Sequence, residues 1–160
     1  MKTRTIPIIL LFITLAVNDI KAQDYVDALG FRAGAAIGVT YKHFLDKKSA
    51  LEGIFSTRWR GVNLTGLYEL HAVAFQMPGL NWYFGGGGHV GYWSYYDGIG
   101  WLAPGKSATV IGIDGIIGME YNIKDFPLNF SLDWKPAMNL IGYGGFWGDE
   151  VAFSIRYRFN

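Results

Sequence analysis

The chain has 160 residues, no cysteine and a formal net charge of +1. This length fits one domain, and the lack of cysteine excludes a disulfide scaffold and a lipoprotein anchored through cysteine. The small net charge argues against a nucleic-acid partner, because no basic field would release counterions.

The first 22 residues have the organisation of a secretory signal peptide. Lys2 and Arg4 form a short basic segment, residues 6–17 are apolar, and a polar stretch with a small residue at Ala22 follows. The apolar run is shorter than the ~20 residues that a membrane-spanning helix needs. We therefore predict a cleaved signal peptide at 1–22, rather than a membrane anchor, and one mature domain at 23–160.

The mature part alternates apolar and polar residues along most of its length, as strands do because successive side chains point to opposite faces. No apolar run reaches the length of a membrane-spanning helix, so insertion into a membrane would require strands. Turn-forming residues divide the alternating segments. We predict eight strands, at 28–34, 36–45, 50–59, 62–74, 80–93, 108–123, 128–136 and 151–159.

The two faces of these predicted strands differ in polarity. One face is apolar, with aromatic residues near strand ends, and the other combines carboxylates and cations in nearly equal numbers. In a membrane-spanning barrel the apolar face contacts lipid and the polar face points inward. Because side chains fill the interior of an eight-stranded barrel, we expect the charges to pair with one another. The predicted interior charge network is Arg32, Lys42, Glu52, Arg58, Glu69, Asp114, Glu120, Asp133, Lys135, Arg156 and Arg158.

The alternative is an exported soluble sandwich or lipocalin-like barrel, in which the apolar face would line a core or a binding pocket. Large rings such as those of Trp59, Trp82 and Trp134 weigh against it, because a small core does not accommodate so many. Aromatic girdles at the two interfaces of a membrane accommodate them. We therefore favour an all-β, eight-stranded antiparallel transmembrane barrel.

The signal peptide, the alternating faces and the final Ile155-Arg156-Tyr157-Arg158-Phe159 together carry a family resemblance. The mature chain resembles the small eight-stranded outer-membrane barrels of Gram-negative bacteria, the OmpA transmembrane-domain and OmpX type. The resemblance implies a monomer in the outer membrane, in contact with its lipid. It also implies recognition of the C-terminal strand by the barrel-assembly machinery, although Asn160 follows the terminal aromatic residue of the family pattern. Segments similar to those of small exported barrels lie at 66–69, 79–83 and 133–136.

The longer connections at 94–107 and 140–149 are aromatic and nearly uncharged. If the chain starts on the periplasmic side, an even strand number directs both connections outward. Exposed aromatic residues stack on sugars or dock onto proteins, or else they belong to the membrane girdle, which we favour. The candidate surface contacts are Tyr95, Tyr96, Trp101, Phe146 and Trp147.

Residues that carry chemistry are few. Residues 85–88 are four glycines, but the Lys-Ser/Thr and the helix of a phosphate-binding loop do not follow. Parity places His71 and His89 inside, where we expect them in a hydrogen-bond network. A metal site is less favoured, because it would need three or four convergent ligands. A lipid A deacylase would require a serine nucleophile beside a histidine base on the outer wall. His43 has outward parity, but no serine has a matching position next to it.

These observations predict an integral outer-membrane protein with a structural or surface-interaction role. We expect an interior plugged by paired charges, no catalytic residues, no cofactor and no metal. The alternatives are an outer-membrane enzyme that modifies lipid A and an exported lipocalin-like binding barrel. Any surface ligand of the aromatic connections is unspecified by the sequence.

Overall fold

The computed structural model describes residues 25–95, 100, 102–143 and 145–159, which form ten β-strands and no helix. Within these residues there is accordingly no helix of the length and apolarity that crossing a membrane demands. The strands are β1 (Asp27–Gly34), β2 (Ile37–Phe44), β3 (Ser49–Arg58), β4 (Gly61–Val73), β5 (Leu80–Ser94), β6 (Ser107–Asn122), β7 (Leu128–Trp134), β8 (Ala137–Ile141), β9 (Gly145–Trp147) and β10 (Val151–Phe159).

The ten segments make eight barrel strands. Both β7 and β8 pair with β6, so they are two halves of one strand. Since β9 pairs with β8 and β10 pairs with β7, these two segments form the last barrel strand. Sequence neighbours pair antiparallel around the sheet, and β1 pairs with β10 from Asp27↔Phe159 to Gly34↔Ala152. The predicted closed, antiparallel eight-stranded barrel is therefore confirmed.

The seventh barrel strand is interrupted at Pro136. Proline lacks an N–H and cannot donate to the ladder, although its carbonyl accepts a hydrogen bond from the Gly115 N–H at 2.9 Å. The predicted loop at 140–149 is wrong in part, because β8 and β9 occupy much of this segment. Alternation continues beyond the proline, with Ala137 and Asn139 buried, but the proline hides this pattern in the sequence.

The faces of the barrel are oriented as predicted. Leu132 and Ile155 are 58% and 44% exposed on the outside, whereas Asp133 and Arg156 are buried at 3% and 0%. A lipocalin-like barrel would have the reverse orientation, with apolar residues lining its interior. The closed sheet thus presents apolar side chains outward and encloses charged ones.

Apolar residues inside the barrel form two small clusters. Ile54, Leu67, Tyr83 and Ile116 pack together. A second cluster, around Tyr25 and its neighbours, lies at the end of the barrel where the first and last strands start and finish. We call this the terminus end, and the opposite end, with the connections after β1, β3, β5 and β8, the loop end.

Two hairpin turns place residues other than glycine in the left-handed region. Trp59 and Arg60 have φ values of 50° and 62°, and Phe75 and Gln76 have values of 51° and 56°. In the second turn the Met77 N–H donates to the Ala74 carbonyl at 2.9 Å. These are the features of type I′ turns, whose twist matches that of paired strands but which favour Asn and Gly.

Replacing Gln76 by glycine is expected to stabilise the barrel by about 1 kcal/mol, because glycine adopts positive φ without the steric cost that other residues incur. The free energy of unfolding, measured in urea by tryptophan fluorescence, tests this. Met77→Gly in the same turn is the control and should not stabilise, since Met77 does not have positive φ. Equal effects of both substitutions would contradict the assignment.

Candidate functional site

The interior of the barrel contains two groups of charged side chains, which we name by their main carboxylates. The glutamate cluster lies toward the terminus end, and the aspartate cluster lies toward the loop end. The glutamate cluster consists of Lys42, Glu52, Glu69, His71, Glu120 and Arg156. The aspartate cluster consists of Arg32, His89, Asp114, Asp133, Lys135 and Glu150.

Lys42 is the centre of the glutamate cluster. Its Nζ lies 2.8 Å from Glu69 Oε2 and 3.4 Å from both Glu52 Oε2 and Glu120 Oε2. All four side chains are fully buried. Burial of an ion costs several kcal/mol unless close opposite charges compensate it. Here three strands supply a carboxylate to one ammonium group.

Arg156 uses its planar guanidinium to bind several neighbours. Its Nη2 donates to Glu52 Oε1 at 2.5 Å, its Nη1 donates to Ser131 Oγ at 2.8 Å, and its Nε donates to Thr40 Oγ1 at 3.3 Å. The Thr40 hydroxyl in turn donates to Glu52. A fork of fixed donors suits such a site better than a lysine would. The guanidinium joins four strands through side chains alone.

The aspartate cluster contains two ion pairs that are linked by Glu150. Arg32 binds Asp133 with two hydrogen bonds of 2.6 and 2.7 Å, the bidentate geometry of strong arginine–carboxylate pairs. Lys135 Nζ lies 2.9 Å from Asp114 Oδ1 and 3.1 Å from Glu150 Oε2. Glu150 Oε1 lies 3.6 Å from Arg32 Nη2. Each cation therefore faces two carboxylates.

One histidine belongs to each cluster. His71 Nε2 lies 3.0 Å from Glu69 Oε2. His89 Nδ1 lies 2.6 Å from Asp114 Oδ2, and its Nε2 lies 2.8 Å from Asn139 Oδ1. Both ring nitrogens of His89 thus face oxygen atoms. A protonated imidazolium has an N–H on each nitrogen, so it donates a hydrogen bond to both oxygens.

Tyr83 connects the two clusters. Its hydroxyl donates to Asp133 Oδ2 at 2.9 Å, while its ring stacks on His71 at 5.0 Å between centroids. Lys42 Nζ lies 4.1 Å from the centroid of the same ring, which is within the range of a cation–π contact. The interior is consequently one continuous network of hydrogen bonds, ion pairs and ring contacts.

The charges of each cluster nearly cancel. Each has three carboxylates, two lysine or arginine side chains and one histidine. Three carboxylates and two cations leave one negative charge, so a cluster is neutral when its histidine is protonated. The charges of the interior therefore compensate one another and leave no excess charge that would attract an ion.

Two of the predicted network residues lie at the ends of the barrel, outside the two clusters. At the loop end, Arg58 binds Asp149 with Nη2 2.6 Å from Oδ2. At the terminus end, Arg158 Nη2 donates to the carbonyls of Ile123 and Phe126 at 2.7 and 2.8 Å. Both have inward parity, but their positions near strand ends bring them to the rims.

The sequence did not indicate Glu150 or Asn139 as interior residues. Both follow the interruption at Pro136 or the break between β9 and β10, where the alternation is hard to follow. Strand breaks reset the parity that identifies inward side chains. A second alternating run, from Ala137 to Ile141, is the signal that could have identified Asn139.

Of the candidate surface contacts that the structure describes, Phe146 is exposed at 65%. The Tyr95 N–H donates to the Lys106 carbonyl at 2.9 Å, across the base of the long connection. Trp147 packs against Trp59 with ring centroids 5.6 Å apart. The two remaining candidates, Tyr96 and Trp101, lie outside the described residues.

The glycine segment at 85–88 and His43, which were considered for phosphate binding and catalysis, have structural explanations. The glycines at 85–88 lie within β5, and a Cβ at Gly87 would overlap the carbonyl of Gly66 on β4. These strands approach too closely there for a side chain. His43 Nδ1 lies 2.7 Å from Asp27 Oδ1, but this pair is at the terminus end. Among the described residues no group of three or more potential ligands could hold a metal.

The comparisons with known proteins do not assign this arrangement to a family. No protein-family model matches the chain, and no curated protein matches it.

Arg156→Met is expected to lower the free energy of unfolding by about 3–5 kcal/mol, because it leaves the buried Glu52 carboxylate without its arginine. Urea unfolding measures this change. Arg158→Met is the matched control on the same strand, and it should cost much less, since Arg158 binds backbone carbonyls at the rim. Adding Glu52→Gln to Arg156→Met should restore part of the loss. Similar costs for both arginine variants would refute the paired interior.

The Arg58–Asp149 pair predicts a pH dependence of stability at the loop end. Hydrogen bonding from Arg58 lowers the pKa of Asp149 below its usual value. A depressed folded-state pKa adds stability above the unfolded pKa, about 3.9 for Asp, and this stability is lost as pH falls through the folded pKa.

Asp149→Asn should therefore reduce stability at neutral pH by a small amount, because the pair is partly exposed. It should also weaken the loss of stability on acidification below about pH 4. Urea midpoints measured across this pH range provide the test. Asp125→Asn, in the exposed turn after β6, serves as the control. Parallel pH profiles for Asp149→Asn and the unmodified chain would exclude the pair as the cause.

Proposed function

We propose that this chain is an integral outer-membrane β-barrel protein with a structural or surface-interaction role and no catalytic activity. The observation that carries the proposal is the combination of an apolar outer face with an interior whose buried ions pair with one another. A soluble protein places polar side chains on its surface, whereas a membrane-spanning barrel places apolar side chains there, because its surroundings are hydrocarbon.

The size of the apolar outer face is the main support. Exposed apolar residues occur on every barrel strand, and Phe31 is 75% exposed in the middle of β1. Soluble monomers rarely expose contiguous apolar patches beyond a few hundred Å², and each Å² moved from water to an apolar phase gains about 25 cal/mol. Lipid would cover this face. Further members are Leu29, Ile37, Leu64, Ile113, Leu132 and Ile155.

The interior supports a passive barrel more than a channel. The lumen contains the two charge clusters, linked through Tyr83, and eight strands leave space mainly for side chains. An ion crossing the barrel would have to break several buried ion pairs at once. Opening of a narrow pore would therefore require rearrangement of the network.

The proposed localisation and partners follow from the sequence and the family resemblance. A cleaved signal peptide would export the chain, and its last strand would engage the barrel-assembly machinery. That strand, β10, pairs with β1 and closes the sheet. We propose a monomer of the OmpA transmembrane-domain or OmpX type, surrounded by outer-membrane lipid, whose loop end faces the outside of the cell.

Cell fractionation combined with a heat-dependent gel shift tests this proposal. We expect the chain in the detergent-extracted outer membrane, with an apparent mass that changes on boiling. Release with soluble periplasmic proteins would exclude the proposal. Lipid A from cells with and without the protein should have the same mass, whereas a difference would show an enzyme.

A charge placed on the outer face provides a second test. Ile155→Arg, in the middle of β10, should destabilise the membrane-embedded barrel by about 2–4 kcal/mol, and Ile37→Arg, at the loop-end start of β2, by about 0–1 kcal/mol. Both residues are exposed on the outer face. Unfolding in lipid vesicles gives the two free energies. A soluble barrel would tolerate both substitutions equally, because each arginine would meet water.

A further inference from the structure

Two exposed cations, Arg60 and Lys106, lie at the loop end of strands β3 to β6. Arg60 is in the turn between β3 and β4, and Lys106 immediately precedes β6. The end of β5 lies between them, because the Ser94 N–H donates to the Arg60 carbonyl at 3.4 Å and the Tyr95 N–H donates to the Lys106 carbonyl at 2.9 Å. Since neighbouring strands are about 4.8 Å apart, the two backbones are separated by about 10 Å. The long side chains of arginine and lysine can converge on one group across this distance.

Three hydroxyl groups lie between the two cations on the outer face of the barrel. Ser94 and Ser107 are opposite each other on β5 and β6, and the side chains of both hydrogen-bond to the Tyr92 hydroxyl oxygen. Tyr92 is 47% exposed, and a hydroxyl group that accepts hydrogen bonds still has its own O–H to donate. We call Arg60, Lys106 and these three hydroxyl residues the rim patch.

The rim patch is positively charged and has no carboxylate to compensate it among its described neighbours. The strand ends at 59–65, 88–95 and 102–111 that the structure describes contain Arg60 and Lys106 but neither Asp nor Glu. By contrast, Arg58 on the same edge binds Asp149. Two cations with hydroxyl donors between them suit an anion that has several oxygen atoms, and phosphate is such a group.

The apolar outer face begins directly beside the rim patch. A membrane around the barrel would place the patch where hydrocarbon gives way to headgroups, the level at which tyrosine and cationic side chains are enriched. A free phosphate ion would contact the patch alone, whereas a lipid would also cover the apolar wall next to it. The arrangement therefore favours a lipid. The exposed apolar residues of this wall are Val62, Leu64, Val90 and Ile111.

We propose that the rim patch binds one lipid whose headgroup carries a phosphate monoester, with Arg60 and Lys106 on the phosphate and the acyl chains along the wall of β4 to β6. The proposal deepens the interaction role of the barrel, and it rests on the proposed function for the lipid surroundings. Binding itself requires only the folded barrel, so it is measurable independently of localisation.

Native mass spectrometry of the purified full-length chain in an uncharged detergent tests the proposal, with dimyristoyl phosphatidic acid as the probe. Dimyristoylglycerol has the same acyl chains without the phosphate, and inorganic phosphate has no acyl chains. We expect one phosphatidic acid per barrel, bound at least about tenfold more tightly than either of the other two compounds.

Substitutions in the rim patch make the test specific. Arg60→Gln and Lys106→Gln should each weaken the binding of phosphatidic acid about fivefold, the contribution expected of one cation beside an anionic lipid headgroup. Arg60→Lys retains the charge and should retain most of the affinity. The matched control is the double variant Lys47→Gln/Lys48→Gln, which removes two cations from the turn between β2 and β3 at the terminus end. It should bind as the unmodified chain does, and the heat-dependent gel shift verifies that each variant is folded.

Three results would overturn the proposal. These are equal affinities for phosphatidic acid and dimyristoylglycerol, inorganic phosphate that binds as tightly as the lipid, and a loss in the control variant as large as in the rim-patch variants. Any of them in a barrel that fractionates with the outer membrane would exclude the lipid site and leave the proposed function intact. Selective binding by a chain that fractionates as a soluble protein would instead exclude the proposed localisation and leave the phosphate-binding patch.

Discussion

Closure of the sheet requires every interior charge to find a partner. Once β1 pairs with β10, the lumen of eight strands has room only for side chains, and water is largely displaced from it. A buried ion without a counter-ion would cost several kcal/mol. Lys42 among three carboxylates and Arg32 on Asp133 meet that requirement. The register of the strands, rather than any single contact, determines whether these partners meet.

The interior and the outer face are consequences of the same alternation. Because each strand directs successive side chains to opposite sides, one sequence pattern supplies both the apolar exterior and the charged lumen. Its two clusters compensate their own charges and are joined through Tyr83, so side chains occupy the lumen between the two ends of the barrel.

The loop end differs from the rest of the interior in chemistry. There the strand halves β8 and β9 extend beyond the closed part of the barrel, and Trp59, Trp93 and Trp147 lie beside charged side chains such as Arg58 and Lys135. The break at Pro136 lets this hairpin continue while it brings Lys135 and Asn139 toward the lumen. Phe146 is exposed at this end, whereas the aromatic residues Tyr25 and Phe44 pack together in the interior of the terminus end.

Where the alternation is unbroken, the sequence alone determined the strands and the side of the barrel that their residues face, because parity is a local property of an extended chain. It thus identified the inward position of Lys42, Glu69 and Arg156 before any contact was known. Only the tertiary structure decided which charges pair: Arg156 binds Glu52 across 104 positions of sequence, a distance that closure and strand register bridge. The tertiary structure also revealed Glu150 and Asn139 in the interior, since strand breaks interrupt the alternation on which local inference depends.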